Sequence, residues 1–382
     1  MVISIIKDLE KQIQKIYPEI VSVRRKLHRY PELSFNEKYT SSLIVDFLEK
    51  CQLKPKIIEE SYSVVCDIVT DESIKKTVLR ADIDALPIQE ETRLSFSSIN
   101  RGVMHACGHD IHISILLGVA KILSENLDQI KVNIRLLFQS GEEEYPGGAA
   151  KLVEKGYINS EEVKRAFGLH VSPELKTGTI GLHAGNFMAS ADEIHIKIIG
   201  KGGHAAKPDE FINPIYFASK ACVMLCKPIP NIKNKYILSI GKFIADGATN
   251  VIPNCVEMQG TLRTFDEADR KKLHKFIKDT LKFSALHNVK YKLEILKGYP
   301  SLYNDPDLTE YAQEKLSNIL GKENVVEVPE RYTSDDFAYI SKAVPSCYMR
   351  LGCNSNTRQH TSKFNPDEKS IYYGMLTFLI LL

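Results

Sequence analysis

A chain of 382 residues, 43 % apolar and 26 % charged, is long enough for two buried cores and ordinary for a globular protein. Its net charge of +2 argues against a nucleic-acid or anionic-membrane surface, and no run of about eighteen uncharged apolar residues is available to span a bilayer. Residues 1–6 are apolar only briefly before Lys7, Asp8, Glu10 and Lys11, and the eight cysteines are scattered without small-domain disulfide spacing, so a cytoplasmic protein with reduced thiols is expected.

Taken in chain order, Ile5, Leu9, Ile13, Ile16 and Ile20 recur at helical spacing and predict a helix over about 3–28, which Pro18 should kink or divide. A second amphipathic helix is expected over 40–51, carrying Leu43, Ile44, Phe47 and Leu48. Residues 64–69 and 77–79 read as strands, the latter running into Arg80-Ala81-Asp82-Ile83-Asp84. The stretch 110–123 is apolar on most sides, the pattern of a helix buried between other elements. Strands follow at 132–138 and 165–171. Strands alternating with helices imply a mostly parallel, doubly wound sheet.

The texture changes near residue 186. Ile194, Ile196 and Ile198 alternate with His195 and Lys197, the mark of a strand with one wet face. A helix over 213–226, strands at 236–243 and 256–265, a helix over 266–287 and a strand at 291–296 complete a ferredoxin-like order. After Gly298 a helix over 308–320 and strands at 325–328 and 344–351 return to αβ alternation, and 375–382 should dock a last helix. The expected fold is α/β: a doubly wound domain of residues 1–185 and 297–382, interrupted by an inserted α+β domain of residues 186–296.

The chemistry gathers where open parallel sheets keep it, at the carboxyl ends of strands. Asp82 and Asp84 follow one strand; Gln139-Ser140-Gly141-Glu142-Glu143-Glu144 follows another; His170 ends a third, and His360 lies in the loop after a fourth. Met104-His105-Ala106-Cys107-Gly108-His109-Asp110 adds a thiol and an imidazole two residues apart, able to share one cation. Each feature has an ordinary reading: a glutamate run is usually a solvated loop, a strand-end histidine usually a core hydrogen-bonder, and a pair of aspartates can cap a turn. Their joint choice of strand ends favours a metal cluster. Adjacent glutamates then suit one ligand and one general base, and so many donors suit two metals with Cys107 as a bridge.

These residues resemble a known family, the dinuclear-metal amidohydrolases that include hippurate hydrolase, plant auxin-conjugate hydrolases and bacterial N-acyl-amino-acid deacetylases, within the wider aminoacylase and carboxypeptidase G group. The matching stretches include Arg24 to Leu33, Leu79 to Thr92, Val103 to His112, Phe138 to Ala149, Met188 to Glu193, Gly200 to Ala206, Asn250 to Pro253, Gly260 to Phe265 and Ser334 to Phe337. The resemblance implies metal ligation by Cys107, His109, Glu143, His170 and His360, with Glu142 as general acid/base and either Asp82 or Asp84 supporting a ligand. It implies that His204 polarises the scissile carbonyl and that Asn250 and Arg263 hold the substrate carboxylate. Arg25, His28 and Glu32 match the pattern without a role that follows from it.

The chain departs from the family where Ser140-Gly141 stand in place of the usual Pro-Ala and a third glutamate follows. Anchoring on Phe138 makes the functional pair Glu142/Glu143; anchoring on Gly147-Gly148 makes it Glu143/Glu144. The implied activity is hydrolysis of N-acyl amino acids or related peptide-like amides to a carboxylate and a free amino acid. The alternatives are a metallo-dipeptidase or carboxypeptidase and, from another class, a non-catalytic metal-binding relative. Two divalent ions per subunit are implied, zinc or manganese first, nickel or cobalt next. The inserted domain implies a lid and a homodimer or higher oligomer.

Overall fold

The computed structural model describes residues 2–229, 232–285 and 289–382, and divides the chain into two compact units. The side chains of Ile5 and Lys7, and the last two residues of the helix expected over 266–287, lie outside what is described. The first unit comprises Met1–Gly185, Tyr303–Pro329 and Asp336–Leu382; the second comprises Asn186–Leu302 and Glu330–Asp335.

The first unit opens with α1 (Val2–Arg29), which continues unbroken through Pro18. Ile13, Ile16 and Ile20 on its apolar side are buried, and tertiary packing of that stripe outweighs the hydrogen bond a proline removes. Next come α2 (Lys38–Lys50), β1 (Pro55–Ile57), β2 (Val64–Ile68) and β3 (Lys76–Asp82), then α3 (His109–Glu125), β4 (Asn133–Gln139), α4 (Gly148–Glu154), β5 (Val163–Ser172) and β6 (Ile180–Leu182). Fourteen of the seventeen α3 residues are buried, because the helix packs against α1, α2 and strand β3, and against the last helix of the chain.

In the second unit β7 (Asp192–Ile199), α5 (Pro214–Leu225), β8 (Tyr236–Ile244), β9 (Cys255–Thr264), α6 (Glu267–Ala285) and β10 (Lys290–Lys297) form an antiparallel sheet of order β8-β9-β7-β10. Asn213 caps α5 by accepting the Ile215 N–H at 3.0 Å, and Pro214 fills the first turn. Ile194, Ile196 and Ile198 share one face of the sheet with Val256, Met258 and Leu262 and form a core with residues of α5 and α6. Each such side chain contributes roughly 1.5–3 kcal/mol by leaving water.

The chain then re-enters the first unit with α7 (Pro306–Leu320), β11 (Val325–Glu327), α8 (Phe337–Ala343), β12 (Ser346–Gly352) and α9 (Lys369–Leu381). The large sheet has the order β1-β2-β4-β3-β5-β12-β6-β11. Its centre, β4-β3-β5-β12, is wholly parallel, and antiparallel pairs are confined to the flanks. No described helix is long and apolar enough to cross a membrane. Helices α4 and α8 are too short to carry a period legible in the sequence, and β3 runs three residues further than its apolar core suggests, so Asp82 is its last residue.

Candidate metal centre

Strand β5 carries His170 near its end and α3 begins at His109 just after Cys107, while Glu143 and His360 stand in the loops that follow β4 and β12. Gly108 precedes α3 in a left-handed conformation (φ +93°), and a Cβ there would stand 2.6 Å from Val171 Cγ2. Only glycine lets the chain turn this tightly between Cys107 and His109 while lying against β5. His360 is held by its backbone N–H on the Ala106 carbonyl at 2.9 Å and itself has φ +59°, a local strain of the kind that persists where neighbours over-determine it.

Cys107 Sγ lies 3.3 Å from His170 Nε2 and 3.3 Å from His360 Nε2. Glu143 Oε1 stands 3.4 Å from His360 Nε2 and 3.9 Å from His109 Nε2. The donors therefore form two overlapping triads, Cys107/His109/His170 and Cys107/Glu143/His360, each with its atoms within 4.8 Å of one another. Cys107 belongs to both. Glu142 joins His109 and Glu143 in a third group, and Glu144 faces solvent. The pair at the cluster is thus Glu142/Glu143.

The orientations are set from behind. His109 Nδ1 lies 2.9 Å from the Asp84 carbonyl and 3.2 Å from its Oδ1, leaving Nε2 to face the cluster. His170 Nδ1 donates to the Val171 carbonyl at 2.9 Å, so its Nε2 keeps the lone pair aimed at Cys107. Asp84 Oδ2 also accepts the Glu143 N–H at 2.8 Å, so one carboxylate orients two candidate ligands. Asp82 is engaged elsewhere: Oδ2 takes Arg80 Nη1 at 2.6 Å and Oδ1 meets His112 Nδ1 at 2.5 Å, with His109 Nε2 3.7 Å away.

The donor set fits divalent cations on three grounds. Ligands at about 2.3 Å (sulfur) and about 2.0 Å (nitrogen) from a tetrahedral ion stand about 3.5 Å apart, close to the sulfur–nitrogen separations here. His109 Nε2 and Glu143 Oε1 are buried and make no hydrogen bond among the described residues, a costly state without a partner. Finally, the electrostatics ask for positive charge. Burial, then Glu143, Glu142 and Asp82, push the Cys107 thiol well above its ordinary value. Burial works against charge on His109, yet Asp82, Asp84 and Glu143 outweigh it and hold the imidazole up to about 10. Burial, then His112 and Arg350, pull His170 well below its usual value, so it is a neutral imidazole ready to ligate.

Several residues at this site escape sequence reasoning. His112, one turn beyond His109 on α3, bonds Asp82 and accepts the Val171 N–H at 3.0 Å; the i, i+3 spacing is the signal that reveals it. Gln359 Nε2 reaches the Cys107 carbonyl at 3.2 Å, with no signal beyond its adjacency to His360. His28 gains a place: its Nδ1 lies 2.9 Å from Asp110 and its Nε2 3.2 Å from Glu90, and Arg24 Nε pairs with the same Asp110 oxygen at 2.7 Å. This network pins α1 to the first turn of α3. Arg25 pairs with Glu368 at 2.7 Å, and Glu32 receives the N–H groups of Tyr39 and Thr40 at the start of α2.

His204, Asn250 and Arg263 lie on the second unit. Val251 pairs with His204 in a two-residue ribbon, and the Asn250 carbonyl takes the Ala205 N–H at 3.0 Å, which sets His204 beside the Asn250 loop. His204 Nδ1 accepts the Ala206 N–H at 3.1 Å, so the ring proton resides on Nε2. Arg263 sits on β9 opposite Ile237, and burial lowers its guanidinium against the pull of Asp192 and Glu193.

Comparison with known proteins decides the family. The family model for peptidase family M20/M25/M40 matches residues 78–382. The chain belongs to this M20 family. It is 36 % identical over 363 residues to an N-acetyl-L-cysteine deacetylase of Bacillus subtilis, covering 92 % of this chain and 85 % of the relative. It is 34 % identical over 396 residues to thermostable carboxypeptidase 1 of Saccharolobus solfataricus, covering 99 % and 98 %. Among solved structures, the Bacillus subtilis YxeP protein, described as a dinuclear metal binding peptidase from the M20 family, superimposes with a TM-score of 0.84 at 31 % identity, covering 96 % of this chain and 98 % of that one. The M20 chain is accordingly a hydrolase of amide bonds, with a large central parallel sheet and an inserted second unit.

Proposed function

We propose that this M20 hydrolase cleaves the amide of N-acyl amino acids at a site where Cys107, His109, Glu143, His170 and His360 would hold two divalent cations. The observation that carries the reading is the position of Cys107 Sγ, 3.3 Å from both His170 Nε2 and His360 Nε2 and shared by two donor triads. His109 and His170 would hold one ion with Cys107; Glu143 and His360 would hold the other. Zinc or manganese is our first assignment, nickel or cobalt the next. When bound, the ions would lower the pKa of a water and polarise the scissile carbonyl. Acyl-amino-acid substrates are favoured by the deacetylase relative, and by a sequence resemblance to deacylases along the whole chain.

The protein's own groups divide the remaining work. Glu142, buried beside His109 and Glu143, takes the proton of the attacking water and returns it to the leaving nitrogen. Asp84 keeps His109 and Glu143 in register for their ion, the supporting role we assign to it over Asp82. Asp82 instead holds the His112 ring through its Nδ1. His204, with its proton on Nε2, donates to the developing oxyanion, and Asn250 and Arg263 bind the carboxylate of the amino-acid part. We assign residues 1–185 and 297–382 to catalysis and 186–296 to a lid and homodimer contact, in a cytoplasmic enzyme.

Glu142→Gln in metal-loaded protein tests the reading on a panel of N-acetyl, N-benzoyl and dipeptide substrates. The expected result is loss of about 10²–10⁴ in kcat with metal content unchanged. Unchanged hydrolysis overturns the assignment, and a wild-type preference for dipeptides over N-acyl amino acids moves the enzyme to the peptidase alternative.

A further inference from the structure

The start of α2 is built in an unusual way. Its first N–H groups are capped from a distance by Glu32, which takes Tyr39 N at 3.0 Å, Thr40 N at 2.8 Å and Thr40 Oγ1 at 3.0 Å. The residue in the ordinary capping position, Glu37, makes no cap hydrogen bond with its side chain. Instead its fully buried carboxyl reaches across to the loop after β4, where Oε1 accepts the Gly141 N–H at 2.8 Å.

Two residues earlier, Phe35 adopts φ +59°, a region that bulky side chains rarely enter. This places its ring on Gly141: a Cβ at Gly141, itself at φ +64°, would stand 2.3 Å from Phe35 Cε1. Ser34 Oγ donates to Asp84 Oδ2 at 2.7 Å, the same oxygen that takes the Glu143 N–H. On the other side Ser140 N–H donates to Ser63 Oγ at 3.0 Å, and Ser140 Oγ lies 2.8 Å from Ser61 Oγ. Ser140, Gly141 and Glu143 are thus each gripped by a side chain from residues 34–84. The residue between the grips is Glu142.

These grips belong to the departure from the family pattern. A proline at 140 has no N–H for Ser63, and an alanine at 141 would strike Phe35. Ser140 supplies the N–H that Ser63 accepts, and the bare Gly141 leaves room for the Phe35 ring. We propose that Glu37 and Phe35 are positioning residues that hold the Ser140–Glu143 turn and thereby aim Glu142 at the reacting atoms. Neither touches the substrate. Burial, then the charge of Asp84, pushes the Glu37 carboxyl up to about 8, so an uncharged amide with the same acceptor oxygen is a close substitute. This inference rests on the acid/base role proposed for Glu142.

The test compares Glu37→Gln, Glu37→Ala and Phe35→Leu in the full-length metal-loaded enzyme, with Glu142→Gln alongside. Steady-state kinetics, metal content after competition with a chelator, and thermal melting are measured on each. Glu37→Ala and Phe35→Leu are expected to lose at least about tenfold in kcat, since misplacement by about 1 Å costs up to about 10². Their KM and metal content should stay within about threefold of wild type, and Glu37→Gln should keep at least about half of wild-type kcat. A kcat within twofold of wild type in Glu37→Ala overturns the proposal, as does a Glu37→Gln as impaired as the alanine variant. A loss that merely tracks lost metal also overturns it. If Glu37→Ala does not fold, Phe35→Leu decides alone, and an unchanged kcat there refutes the positioning role. Activity in Glu142→Gln refutes the underlying mechanism; an inactive Glu142→Gln beside an unimpaired Glu37→Ala refutes only this inference.

Discussion

Both units bury a knot of charged side chains, and the knots are put together differently. In the second unit Asp192 at the start of β7 is fully matched: Arg270 grips both its oxygens, His274 Nε2 meets Oδ2 at 2.6 Å, and the Gly298 N–H adds a bond at 3.2 Å. In the first unit Asp82, Asp84, Glu142 and Glu143 converge with Cys107, and His109 Nε2 and Glu143 Oε1 make no hydrogen bond among the described residues. The Asp192 knot is closed and ties secondary structure together. The Cys107 knot is open on the side of its candidate donor atoms, a state that costs folding free energy unless a cation completes it. Buried charge alone therefore says little about function; the unsatisfied remainder is the informative part.

Breaking a member of the open knot should cost chemistry. Cys107→Ala removes the donor common to both triads and is expected to lose both metal and nearly all activity, by at least about 10³. Cys51→Ala or Cys222→Ala, at half-buried thiols outside the site, should change neither. Metal analysis and kcat on the same samples check this, and a fully active Cys107→Ala would remove the bridge from the argument. Asp84→Ala should weaken metal retention by about 10–100-fold, because it removes the carboxylate that meets both His109 Nδ1 and the Glu143 N–H and leaves only the Asp84 carbonyl behind the ring. Chelator titration measures it.

Breaking the closed knot should cost folding instead. Asp192→Asn is expected to destabilise the protein by about 3 kcal/mol at neutral pH by removing the buried carboxylate that Arg270 and His274 share, with metal content unaltered. The sign with pH follows from the carboxyl. Burial raises its pKa, but Arg270 and His274 outweigh burial and hold it below the ordinary value. Its stabilisation is present above the unfolded-state value of about 3.9 and is lost as pH falls through the lower folded-state value. The gap between wild type and variant should shrink below about pH 4 in denaturant melts. A constant gap down to pH 2 would mean that Asp192 acts through packing rather than charge.

The contrast also explains what was legible beforehand. In β7 the alternation Ile194, Ile196, Ile198 is a one-sided strand written in period two, and the whole ferredoxin-like order of the second unit can be read from such patterns. In β4 every residue is buried, so only an apolar run shows, and the position of Glu142 relative to its end has to be inferred from loop length. The sequence therefore admits both Glu142/Glu143 and Glu143/Glu144, and only the fold turns Glu144 to solvent. Pro18 misled in the opposite direction: the expected break is absent because burial of Ile13, Ile16 and Ile20 holds the helix together across it. Short α4 and α8 carry too few turns to show a period.

By itself the sequence determined the family, the α/β class and which residues are candidate metal donors. These depend on local chemistry and on apolar spacing, both of which are written residue by residue. Tertiary structure alone decided which atoms meet: that Asp84 rather than Asp82 backs His109 Nδ1, that His112 and Gln359 stand behind the cluster, and that Glu37 and Phe35 grip Gly141. Such contacts join residues tens to hundreds of positions apart across a sheet buried on both faces. Their distances follow from how helices and strands pack, a property that no local window of the chain contains.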